Sequence, residues 1–101
     1  MPEFTYASDT TKRDAFVAAA DKDIAKGKAA VASLEKKAGA AAADAKVKID
    51  ADITALQSDL KSAEAKLADM RRTTAVRWKE FEADVSAATA RLRKSTEKAL
   101  G

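Results

Sequence analysis

The stretch that most constrains this chain is Ile49 to Met70, where Ile49, Ile53, Leu56, Leu60, Ala63, Leu67 and Met70 recur at steps of four and three. That spacing holds one apolar stripe on one side of an α-helix. Asp50, Asp52, Gln57, Ser58, Asp59, Lys61, Glu64, Lys66 and Asp69 fall between the stripe positions and keep the other side in water. A helix divided in this way must lay its stripe against a neighbour.

A second stripe precedes it: Phe16, Ala20, Ile24, Gly27, Val31, Leu34 and Ala38 repeat the same spacing with smaller residues. Residues 1–9 read as an irregular leader in which Phe4 and Tyr6 would staple onto the first helix. Thr11 followed three residues later by Asp14 resembles a capping box, which predicts a helix start near Thr10. Gly27 sits on the stripe, where it costs about 1 kcal/mol of helix propensity relative to Ala and allows a neighbouring helix to come close. Gly39 follows Glu35, Lys36 and Lys37, a cationic last turn suited to a helix C-terminus, and predicts a turn there. The competing reading is that Ala40 to Ala43 carry the helix straight through.

Beyond Met70 the spacing slips to four and four, through Thr74 and Trp78. It then resumes at Phe81, Val85, Ala88, Leu92, Ser95 and Ala99. An insertion of this kind is a stutter or a break. Breaks at Gly39 and near Thr73 together give three helices; a break at Gly39 alone gives one short and one long helix. The predicted fold class is therefore all-α, with long antiparallel helices forming either a three-helix bundle or a helical-hairpin coiled coil over residues 10–101 as a single domain.

Composition sharpens this reading. Of the 47% hydrophobic residues, 26 are Ala, so the core is thin, and burial at about 25 cal/mol per Å2 favours recruitment of a second chain. Nineteen Lys and Arg face 16 Asp and Glu, and the two signs alternate along the chain instead of forming the one-sided block of a nucleic-acid arm. Only residues 73–101 lean basic, with six basic against four acidic side chains, so nucleic acid ranks last among the partners considered. The longest uncharged runs, such as Ala38 to Ala43, are six residues, against the roughly twenty of a membrane-spanning helix. No signal-peptide pattern opens the sequence, and cytoplasm and periplasm both fit.

No catalytic, cofactor-binding or metal-binding residue is predicted. The chain has neither His nor Cys. The doublets Asp21/Asp23 and Asp50/Asp52 point about 200 degrees apart on a helix, so neither can grip one ion or flank one bond, and both read as surface residues. Lys26-Gly27-Lys28 lacks the spacing of a phosphate loop. Two constellations are candidates for binding. Trp78, Phe81 and Val85 share a helical face that reads first as core and second as an anchor for a partner protein or lipid surface. Arg91, Arg93, Lys94 and Lys98 form a candidate basic surface beside it, of the kind found on membrane-surface helices.

From Ala42 to the end the chain resembles small Ala-, Lys- and Glu-rich bacterial coiled-coil proteins, among them a stress-response type. The residues that carry the resemblance are Ala43-Asp-Ala-Lys-Val-Lys-Ile, Asp52-Ile-Thr-Ala-Leu, Ala63-Glu-Ala-Lys-Leu-Ala and Trp78-Lys-Glu-Phe-Glu-Ala-Asp-Val, with Phe4-Thr-Tyr and Asp14-Ala-Phe-Val similar to some proteobacterial members. Many relatives have Ser-Gly-Asp where this chain has Thr73-Thr74-Ala75. The resemblance implies a helical, non-enzymatic protein with no catalytic residues to transfer. The expected function is structural or interactive, through self-association into a homo-oligomer or binding of a partner helix. The alternative is reversible attachment to a lipid or storage-granule surface by amphipathic helices, as apolipoprotein-like and phasin-like proteins do.

Overall fold

A computed structural model describes residues 2–73 and 77–100, with side chains from Thr11 onward. Three helices account for nearly all of them: α1 (Pro2–Ala40), α2 (Ala43–Arg71) and α3 (Lys79–Leu100). The chain therefore breaks twice, just past Gly39 and again after Arg71, and the bundle, not the two-helix coiled coil, is the architecture formed.

Contacts between helices fix their directions. Asp21 of α1 meets Arg71 of α2 at 2.5 Å and Lys28 meets Glu64 at 3.7 Å, so α1 and α2 run antiparallel. Ser95 of α3 donates a hydrogen bond to Asp59 of α2, and Arg93 lies 3.5 Å from Asp23 of α1. Together with Phe16 beside Trp78, these pairs set α3 antiparallel to α2 and parallel to α1. The result is an up-down-up rod of 63 × 18 × 16 Å. Its radius of gyration of 16.8 Å exceeds the ~13 Å of a globule of about 100 residues, because a 39-residue helix needs about 58 Å of length.

The predicted stripes are the core. Ala20, Ile24, Gly27, Val31, Leu34 and Ala38 of α1 are buried, as are Leu56, Leu60, Ala63, Leu67 and Met70 of α2 and Val85, Ala88 and Leu92 of α3. Ile49 and Ile53 are only half covered. Both still pack against the core, near the end of the bundle where α3 stops. Thr89 is the one polar residue among the buried described side chains, and its hydroxyl donates to the Val85 carbonyl at 2.9 Å, so no buried oxygen is left unpaired there.

Three expectations need correction. An irregular leader over residues 1–9 and a helix start near Thr10 do not hold: α1 begins at Pro2, a residue tolerated in the first turn because its missing N–H has no intrahelical role there. Thr11 and Asp14 lie well inside the helix, where the backbone donors a capping box would serve are already bonded. The side chains of Phe4 and Tyr6, expected as staples, lie outside the described residues, as does Thr74. Finally, the first turn falls at Ala41 and Ala42, not at Gly39, which keeps a negative φ within α1.

Gly27 does permit close approach. A Cβ placed there would lie 2.9 Å from Leu60 Cδ2 and 3.0 Å from Leu92 Cδ1, so all three helices converge on it. Gly27→Leu should destabilise the bundle by about 1–3 kcal/mol through overpacking. Gly39 has open space around its α-carbon and helical backbone, so Gly39→Ala should stabilise by about 0.4–1 kcal/mol. Urea unfolding followed by far-UV circular dichroism reads both, and opposite signs at the two glycines are expected.

Candidate interaction faces

The Trp78 constellation is built where α2 hands over to α3. The end of α2 is closed by its own groups: Arg72 N–H donates to Ala68 O at 3.2 Å, and Thr73 donates to Met70 O through its N–H at 3.1 Å and its hydroxyl at 2.6 Å. α3 opens with Glu80 and Phe81 N–H groups donating to Arg77 and Trp78 carbonyls, and Glu80 and Glu82 place acid in its first turn, favourable to the helix dipole. Trp78 is thereby held against the bundle at the start of α3.

Its indole is 2% exposed, and its ring centroid lies 5.8 Å from that of Phe16, tilted by 43°. Offset aromatic pairs at this distance add to area burial. Val85 is fully buried and Phe81 half buried. In the closed bundle Trp78 and Val85 are core, and Phe81 lies partly exposed at its edge. Among the described residues the buried Trp78 Nε1–H has no acceptor, and such a group costs about 1–3 kcal/mol when left unpaired. Around the pair, Lys12, Ala15, Lys79 and Glu82 line a shallow groove.

The candidate basic surface divides. Arg91, Lys94 and Lys98, spaced by three and four, share one exposed face of α3, while Arg93 turns toward α1 and meets Asp23. Glu80 and Asp84 lie on the same face as Arg91, so this side of α3 is acidic at its start and basic at its end. That polarity matches the helix dipole. It does not make one uniform cationic patch.

The carboxylate doublets separate as their spacing requires. Asp21 pairs with Arg71 on α2 and Asp23 with Arg93 on α3, so two neighbouring carboxylates tie α1 to two different helices. Asp23 is half buried, whereas a surface position was expected. These ties, with Lys28–Glu64 and Asp59–Ser95, carry inter-helix pairing that the sequence pattern missed. An acid and a base on separate helices leave no spacing signal in one sequence. Among the described residues no group of three or more His, Cys, Asp or Glu could hold a metal ion, and no helix is long and apolar enough to cross a membrane.

No family of known proteins, no curated protein and no solved structure matches the chain.

Burial of Trp78 has a direct optical consequence. Its emission should be blue-shifted and resistant to quenching by iodide in the native state. Trp78→Ala should cost about 3–5 kcal/mol in denaturant unfolding, whereas Asp21→Asn, at a pair about half exposed, should cost no more than about 1 kcal/mol.

Proposed function

We propose that this chain is a non-enzymatic structural or interaction protein, a coiled-coil-type helical bundle that works by self-association or by binding a partner helix. The observation that carries the reading is the use made of its side chains. The heptad-like apolar positions are committed to seams between long helices, and the outward faces carry charges of both signs, several of them in ion pairs. Such surfaces suit reversible helix–helix association in water. The bacterial and stress-related character belongs to the same reading, and its support is the resemblance carried by Trp78–Val85 and the segments before it.

A second reading is reversible binding to a lipid or granule surface. Its support is that Val85 and Leu92 of α3 are buried on one face, with buried Trp78 immediately before the helix. On opening, α3 would present that apolar face beside Arg91, Lys94 and Lys98.

Sedimentation across a wide concentration range tests the first reading: a reversible shift to larger species is expected, and a single monomeric species throughout, with no partner helix bound, would contradict it. For the second, a further blue shift of Trp78 emission on adding anionic vesicles is the expected sign. An unchanged spectrum counts against it.

A further inference from the structure

The turn between α1 and α2 is made of residues that do not favour a turn. Only Ala41 and Ala42 lie outside helix, within the run Ala38-Gly39-Ala40-Ala41-Ala42-Ala43. Alanine is the best helix former of all residues. No side chain caps the start of α2, and Ala42 takes that place with extended backbone, φ −68° and ψ 161°. The glycine that could have closed α1 in a left-handed cap stays in the helix, and no described residue has positive φ. Among the described residues one long 3.4 Å backbone bond, from Ala41 N–H to Ala38 O, joins the turn to α1.

Breaking a helix here leaves the last carbonyls of α1 and the first N–H groups of α2 without intrahelical partners. A continuous helix through Ala41 and Ala42 would restore those bonds. The closed turn persists because folding back lets Ile24, Val31 and Leu34 cover Leu56, Leu60 and Leu67. A second copy can supply the same cover. If two chains each straighten at Ala41 and Ala42, α1 of one packs on α2 and α3 of the other, and every seam of the closed rod is kept. Short hinges held against local preference invite this exchange.

We propose that this protein forms a two-fold, domain-swapped dimer by fusing α1 and α2 into one helix, the partner being a second copy of the chain. The proposal rests on the self-association reading above and supplies its mechanism. One helix from Pro2 to Arg71 would measure about 105 Å, against 63 Å for the closed rod.

The hinge can be tested without touching the seams. Ala42→Pro suits the closed turn, since φ −68° is that of proline and the Ala42 N–H makes no hydrogen bond there. Inside a continuous helix the same proline removes a backbone bond and clashes with the preceding turn. A Gly-Gly-Ser insertion between Ala41 and Ala42 relaxes the closed turn by a different route. Small-angle scattering with sedimentation, from micromolar to millimolar full-length chain, should show a dimer with a maximum dimension of at least about 100 Å. Either variant should weaken that dimer at least about a hundredfold while retaining native helicity. If Ala42→Pro fails to fold, the insertion decides. A dimer no longer than the closed rod, or a long dimer that survives the hinge variant, overturns the swap and leaves self-association standing. A chain monomeric throughout overturns the swap and the self-association reading together.

Discussion

The bundle depends on one contact, the approach of Leu60 and Leu92 to the bare α-carbon of Gly27. With so much of the apolar content in alanine, the core cannot be deep, and its stability comes from bringing three backbones close enough for small side chains to touch. A glycine within the longest helix lets two leucines from the other helices fill the space that its side chain would have occupied. On either side of that point Ala20, Ala30, Ala63 and Ala88 continue the close packing, and Leu34, Leu56, Leu67 and Met70 fill the wider gaps.

Polar groups set direction more than they add stability. The pairs Asp21–Arg71 and Lys28–Glu64 are about half exposed, and each contributes at most about 1 kcal/mol; in Asp23–Arg93 the carboxylate is the more covered partner. Placed on three helices, however, they are compatible with one arrangement only, with α2 antiparallel to both α1 and α3. An arrangement with α1 and α2 side by side in the same direction could not hold Asp21–Arg71 and Lys28–Glu64 at once. The orphaned Trp78 N–H works the other way, as a buried donor whose cost must be offset by the aromatic and apolar packing of its ring.

Much of this was legible in the residues because a heptad-like stripe has a single physical meaning. The positions from Leu56 to Met70 and from Ala20 to Ala38 lie in the core as spaced, and the slip after Met70 marks a real break. Ile49 and Ile53 kept the spacing but only half the burial, since spacing places a residue on a face without saying how far the neighbouring helix extends. The turn was misplaced by two residues because glycine is a local cue, whereas the position of this turn is set by the need for two stripes to face each other. The start of α1 was misread for the same reason: Thr11 and Asp14 look like a cap in isolation, but an upstream proline already opens the helix. Of the candidate faces, Trp78 and Val85 are buried and Phe81 half buried, whereas Arg93 turns away from Arg91, Lys94 and Lys98 toward Asp23, a partner seventy residues away that no local spacing reveals.

The rod satisfies its contacts within one chain, and the proposed swap would satisfy the same contacts between two. Both require the convergence at Gly27. Proton nuclear Overhauser contacts between the Gly27 α-protons and the methyl groups of Leu60 and Leu92 test that convergence most directly. Strong cross-peaks to both leucines are predicted in the native protein. Their absence, in a chain that is nonetheless helical, would contradict the packing on which the rest of the structure is built.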